Sequence, residues 1–313
     1  MMLQLLLESA VRVSVLGAGM WGLLRLMRIR NPAQERTAWF CVLVIGSGMP
    51  LVAPVVDRLL PVASGIATSV IPALVLPPRA HTLLWAGYVG VVAMLLARIG
   101  VGLLMVSFVW RTATPVPSIA SDGMSVRASR RVATPVAIGS GVLLPTDWSH
   151  WSPAKRAWVL AHERSHLVQH DVYWLLLARV YRAVFWMNPF AWWLVRRLTL
   201  LAEQISDDAA LTADRRPADY AAVLLEFATG RRSAMPIVAL ARRSNLSRRV
   251  ERILGADRAV ASVPRARAVV IATVLVIAVL STMSPWLHVV VNPAGRAEWS
   301  RLAPLGRLPN LGD

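Results

Sequence analysis

The sequence predicts a mainly α membrane protein, with four transmembrane helices and an α+β domain inserted between the third and the fourth. Three observations lead there. Of 313 residues, 56 % are hydrophobic and only 16 % charged, with a mean hydropathy of +0.53, too apolar for an ordinary soluble domain. Several uncharged runs are long enough to cross a hydrocarbon core of about 30 Å. Between the last two, the pattern changes to a β-rich stretch and then to polar helical segments that hold three of the six histidines.

Charge and composition narrow the partners. The net charge of +17 is carried almost wholly by Arg. With apolar spans present, anionic lipid headgroups and the positive-inside rule account for it. No nucleic-acid motif accompanies the charge, so direct nucleic-acid binding is not expected. Thirteen Trp suit a chain with much surface at a membrane boundary. Cys41, the single cysteine, lies in an apolar run, which rules out a disulfide framework and a Cys-based metal site.

Taken in order, the first span runs from about Leu3 to Leu24, with Glu8 and Arg12 four apart near its start, placed to neutralise each other. No basic segment precedes it, so a cleaved signal peptide is not expected. Arg25, Arg28, Arg30 and Arg36 crowd a short loop before a second, uncharged span from Thr37 to about Val56. Residues 57–80 are broken by Pro61, Gly65, Pro72, Pro77 and Pro78 and read as an outer loop. The third span lies between Thr82 and Trp110 and contains Arg98; the fourth runs from Ala268 to about Val291. Placing the Arg25–Arg36 loop in the cytoplasm also sends residues 111–267, with most of the basic residues, to that side. The expected layout is three spans in 1–110, a cytoplasmic domain in 111–266, a fourth span in 267–291 and an outer tail in 292–313.

Thr134–Pro145, rich in β-formers and bounded by prolines, reads as one or two short strands. An exposed edge over Val136, Ala137, Ile138 and Gly139 could hold an extended peptide by β-augmentation; a small sheet packing on the following helix fits equally well. Ser152 followed by Pro153 is an N-cap and first-turn pair that opens that helix.

On that helix His162 and His166 are four apart, so their imidazoles share a face, with Glu163 beside them. This is the H-E-x-x-H arrangement of zinc peptidases, in which the glutamate deprotonates a metal-bound water. A third ligand is still needed. His170 shares the face, but a straight helix rises about 12 Å over eight residues, and no glycine in Leu167–Gln169 breaks it, so a supporting role is expected. Glu203 is the better candidate. It lies in a helical segment with Asp207 one turn on, and such a carboxylate suits a partner for the far nitrogen of a ligand imidazole. Asp208 reads as part of a solvated patch.

His162-Glu163-x-x-His166-x-x-x-x-Asp171, then Phe185-Trp186-Met187-Asn188-Pro189, then Glu203-x-x-x-Asp207 resembles the BlaR/MecR-type membrane metallopeptidases. Tyr220–Leu225 and Arg248–Leu254 match as well, and the resemblance spans about Ala133 to Gly255. It implies a zincin-like cytoplasm-facing domain in which His162, His166 and Glu203 bind Zn2+ and Glu163 is catalytic. Asp207 and Asp171 would support the ligand rings. It also implies a regulatory role, cutting the protein itself, a transcriptional repressor or another protein substrate in a multi-pass cell-membrane setting. Two features depart from the pattern. Ser206 stands where that family often has Cys, and only Asn292–Asp313 follow the last span, where the β-lactam receptors carry an extracellular sensor domain. A looser similarity to the HtpX and CAAX prenyl protease group leaves a membrane quality-control protease as one alternative. A signal-transducing scaffold with a structural zinc is the other.

The aromatic run Tyr173–Leu201 is expected to form a helix–turn–helix bent at Asn188-Pro189 that dips into the membrane interface and returns Glu203 to the side of His162.

Overall fold

The protein is described by a computed structural model covering residues 2–59, 77–117, 124–139, 141–229 and 246–255. Its helices are α1 (Met2–Leu26), α2 (Pro32–Leu59), α3 (Pro78–Thr112), α4 (Pro153–Val168), α5 (Asp171–Val184), α6 (Pro189–Ala213), α7 (Pro217–Thr229) and α8 (246–254). The strands are β1 (Thr114–Pro115), β2 (Ser125–Ala128), β3 (Val136–Ile138) and β4 (Gly141–Leu144).

Two helices among the described residues are long and apolar enough to cross a membrane: Leu6–Leu26 in α1 and Arg79–Thr112 in α3. The expected second span lies within α2. The fourth, and most of the loop 57–80, fall outside the described residues, so the count of four spans rests on the sequence.

Val13, Leu16, Met20 and Leu24 recur every three or four residues and bury one stripe of α1. That stripe packs with Trp39, Val42 and Leu43 of α2, Ala178 and Tyr181 of α5, and Leu194, Leu198 and Leu201 of α6 in one core. Aromatic rings lock it: Trp39 meets Trp193 edge-on at 4.7 Å, and Phe40 stacks on Trp174 at 4.4 Å. A Cβ on Gly17 would collide with the Phe190 ring, so α6 approaches α1 where α1 has no side chain.

α5 and α6 form the expected helical hairpin, bent at Asn188-Pro189. Its turn lies against Ala10 and Ser14, well inside the Leu6–Leu26 stretch. Asn188, buried there, donates its amide to the Ala10 carbonyl at 3.1 Å and to Ser14 Oγ at 3.1 Å. Its own Oδ1 caps α6 by accepting from the Phe190 amide at 2.9 Å. Tyr88 of α3 closes the same end by donating to the Val184 carbonyl at 2.6 Å. The Phe190 amide and the Val184 carbonyl at the turn are thereby satisfied by side chains.

Thr134–Pro145 gives two strands, β3 and β4, paired antiparallel. The sheet order is β1-β2-β4-β3, with β1–β2 antiparallel and β2–β4 parallel. β3 is therefore an edge. Gly141 admits no side chain, because a Cβ would strike the Trp110 ring and stand 2.5 Å from the Ser125 carbonyl oxygen. That close approach fixes the sheet to the end of α3. Val126, Val142 and Leu144 then pack with Trp151 and Val159, joining the sheet to α4. Trp158, Ala210, Tyr220 and Ile253 form a third core beneath α6, α7 and α8.

Candidate metal centre

α4 begins where the sequence indicates: the Ser152 hydroxyl accepts from the Lys155 amide at 3.2 Å, with Pro153 in the first turn. The helix points His162 and His166 to one side, their Nε2 atoms 3.3 Å apart. α6 crosses α4 and brings in Glu203, whose carboxylate oxygens lie 3.8 Å from His162 Nε2 and 3.9 Å from His166 Nε2. One ligand atom from each of the three falls within 4.8 Å of the others. Two ligands of a tetrahedral zinc stand about 3.3–3.6 Å apart, so this donor set, two imidazoles and a carboxylate, fits one such ion with small adjustment and leaves a fourth position open.

Both rings use Nε2 at the shared point and Nδ1 elsewhere. His166 Nδ1 lies 2.8 Å from Asp171 Oδ2 and 3.3 Å from Ser206 Oγ. His162 Nδ1 lies 3.3 Å from Asp207 Oδ1 and 3.0 Å from the Tyr220 hydroxyl. Carboxylate partners place the imidazole proton on Nδ1 and free the Nε2 lone pair for a metal. These partners are themselves held. Arg36 Nη1 of α2 donates to Asp171 Oδ1 at 2.7 Å. Tyr220 donates to Asp207 at 2.8 Å, and Arg249 of α8 grips Asp207 through Nε at 2.9 Å and Nη2 at 2.7 Å. Arg249 Nη1 also reaches Glu203 Oε2 at 2.6 Å, steadying a carboxylate whose two oxygens each face one imidazole.

The electrostatics follow from burial and these contacts. Asp207 is 1 % exposed. Burial would raise its pKa, but hydrogen bonds from His162 and Arg249 win and hold it well below the usual carboxylate range. Burial pushes the Glu163 carboxyl upward, against the pull of His162 and His166 and of a hydrogen bond from the Ala137 amide. Burial likewise drives the Tyr220 hydroxyl up, so it remains a donor.

Val136, Ala137, Ile138 and Gly139 lie beside the site. β3 pairs with β4 on one side only, and the Ala137 amide that bonds Glu163 points away from β4. Gly139 takes φ +53 to turn the hairpin. His170 does not join the site. α4 stops at Val168 without a glycine, because His170 itself adopts the left-handed region at φ 57. It stays exposed, its Nδ1 3.1 Å from the Leu167 carbonyl. This break, which the sequence did not signal, lets Asp171 fold back onto His166. Asp208 is paired rather than merely solvated: Arg252 holds it at 2.7 Å through both terminal nitrogens.

The sequence model of BlaR1 peptidase M56 matches residues 80–253. The chain belongs to that family. The match begins in α3 and ends in α8, so this M56 peptidase has both imidazoles, Glu163, Glu203, Asp171, Asp207, Tyr220 and Arg249 inside the family region, and Arg36 before it. No curated protein matches the chain.

Arg36, Tyr220 and Arg249 are the contacts that sequence reasoning did not assign. Tyr220 and Arg249 sit in segments that match the family pattern, but nothing in their spacing ties them to His162 or Asp207.

Proposed function

We propose that this M56 peptidase is a membrane-embedded zinc endopeptidase that cuts a protein substrate at the cytoplasmic membrane face in a regulatory pathway. The observation that carries the reading is the convergence of His162, His166 and Glu203 beside Glu163. Three protein donors with a position left open suit a catalytic zinc better than a structural one, which ordinarily has four closed ligands. That argues against the scaffold alternative.

His162, His166 and Glu203 would hold the ion. Bound there, zinc would supply Lewis-acid polarisation of the scissile carbonyl and acidify a water. Glu163, one residue from the first ligand, accepts the proton of the attacking water and delivers it to the leaving amine. Its carboxyl, pushed upward by burial, suits a group that must both take and give a proton. Asp171 and Asp207 fix the ring orientations and tautomers. The open edge of β3, Val136–Gly139, would receive an extended peptide as an added strand, next to the base that Ala137 contacts.

The Arg36–Asp171 ion pair supports the cytoplasmic orientation, because it ties the metal centre to the basic Arg25–Arg36 loop. Cleavage of a repressor or of the protein itself accords with the family resemblance, and the partners expected are a protein substrate and an anionic membrane. The test is Glu163→Gln. Proteolysis should fall by several orders of magnitude while zinc content, measured by elemental analysis, stays at the wild-type level. Full activity in that variant would remove the proposed base. The same inactive variant should trap its substrate for identification by mass spectrometry, and recovery of many unrelated misfolded proteins would favour the quality-control role.

A further inference from the structure

Each ligand imidazole is backed by the same row of three groups: ring, aspartate, arginine. On one side His162 Nδ1 faces Asp207, and Arg249 of α8 holds that carboxylate. On the other, His166 Nδ1 lies 2.8 Å from Asp171 Oδ2, and Arg36 Nη1 donates to Asp171 Oδ1 at 2.7 Å. The two arginines come from far-apart stretches of chain. Arg249 lies within the family match at residues 80–253, whereas Arg36 lies before it, near the start of α2.

Arg36 is not a loose surface cation. Its side chain is 13 % exposed and that of Asp171 3 %, so the pair lies largely out of water, where losing one partner strands the other. The guanidinium sits over the Phe40 ring at 5.4 Å, and Phe40 in turn stacks on Trp174 of α5. Its Nε is buried without an acceptor, so the bond to Asp171 is what secures the charged head. Glu35, the residue before it, accepts from Arg197 Nε at 2.6 Å and from Trp39 Nε1 at 3.0 Å. The start of α2 is thereby tied to α5 at Asp171 and to α6 at Arg197, upstream of Glu203.

A carboxylate turns about a single bond, and its two oxygens turn together. With Oδ1 taken by Arg36, Asp171 can offer Oδ2 in one direction only, toward the His166 ring. The imidazole then keeps its proton on Nδ1 and aims the Nε2 lone pair at the point shared with His162 and Glu203. Without Arg36 nothing in α2 opposes rotation of that carboxylate.

We infer that Arg36 is a positioning residue of the metal centre: by fixing the Asp171 carboxylate it sets the orientation of His166, which makes α2 part of the centre and not an anchor alone. This rests on the reading of His162, His166 and Glu203 as zinc ligands.

The test is the zinc affinity of the purified full-length protein, measured by competition with a chromophoric chelator. Arg36→Gln should weaken zinc about tenfold, and Asp171→Asn by a similar factor. The double variant decides between routes. If Arg36 acts through Asp171, adding Arg36→Gln to Asp171→Asn costs less than about twofold more, whereas independent contributions multiply to about a hundredfold. A single Arg36 nitrogen meets Asp171, so Arg36→Lys, which keeps a point charge there, should lose only about threefold. Should Arg36→Gln not fold, Arg36→Lys carries the cycle, its loss vanishing in the Asp171→Asn background. Lys155→Gln breaks another sheltered cation's pair, with Glu226, that touches no ligand or ligand partner, and should stay within about twofold of wild type. Wild-type affinity in Arg36→Gln, a multiplied loss in the double variant, no advantage of lysine over glutamine, or an equal loss in Lys155→Gln would each overturn the role of Arg36. A wild-type chain that binds no zinc, or whose zinc is indifferent to His166→Ala, would instead remove the ligand reading beneath it.

Discussion

Asp207 and Arg249 show how much of the candidate centre is built behind its ligands. Asp207 has almost no exposure and takes hydrogen bonds from Arg249 and Tyr220 while facing His162. Replacing Arg249 by Met would leave that carboxylate buried without its cation, a loss of about 3 kcal/mol. It would also release Glu203 Oε2, so zinc affinity should drop about tenfold or more in a chelator competition. Tyr220→Phe is gentler. It removes one hydroxyl from Asp207 and His162, and should lower zinc affinity about tenfold with a stability cost near 1 kcal/mol. Unchanged affinity in both variants would mean that these contacts do not organise the ligands.

Glu163 allows a pH test. In the metal-free protein its folded carboxyl lies above the unfolded value of about 4.3, so the folded chain holds that proton more tightly. Stability then declines as pH rises from the unfolded value through the folded one, and Glu163→Gln abolishes that decline. With chelator present at pH 7, the variant should melt at a higher temperature than wild type; a lower or equal Tm contradicts it. The grouping of His162, His166 and Glu203 was legible because helical spacing puts the two imidazoles on one face and Glu203 one turn from Asp207, and the family resemblance joins the two segments. Arg249 was not, since an arginine among arginine pairs reads equally well as membrane-facing charge. Its role exists only where α8 docks on α6.

The elements were legible wherever local chemistry decides them. Ser152 and Pro153 start α4 with the expected cap, and Asn188 with Pro189 starts α6 at the expected bend. The β-rich stretch yields β3 and β4. β1 and β2 escaped because a two-residue strand and the polar Ser125–Ala128 carry little periodicity, and their pairing is set by tertiary contact. The break at His170 escaped for a different reason: the left-handed position there is filled by histidine rather than glycine. Gly141 gives the element-scale prediction. Gly141→Ala would press a methyl group into the Trp110 ring and the Ser125 backbone, costing about 1–3 kcal/mol. β3 would shift with β4, so turnover should fall more than zinc content. Wild-type turnover with lowered zinc content would contradict the link between this hairpin and the substrate edge.

The whole molecule is organised by the α5–α6 hairpin. About 21 Å long over the 14 residues of α5, it packs on α1 and α2 at one end and supplies Asp171 and Glu203 at the other. This placement against α1 was only partly legible. The aromatic run announced apolar surroundings, but its contact with Ala10 and Ser14 depends on the polar pair Ser14 and Asn188 meeting across more than 170 residues of chain. If the orientation proposed is right, a cysteine placed at Arg130 in a Cys41→Ser background should react with membrane-impermeant thiol reagents only after the membrane is broken; labelling in intact cells would reverse the topology.

The central claim is that one zinc ion is held jointly by α4 and α6. Zinc X-ray absorption on the purified full-length protein, paired with elemental analysis, tests it most directly. The account predicts one zinc per chain with two imidazole nitrogens and carboxylate oxygen in its coordination shell, and loss of most of that zinc in His162→Ala and in Glu203→Ala. Stoichiometric zinc that survives Glu203→Ala with its coordination unchanged would contradict it.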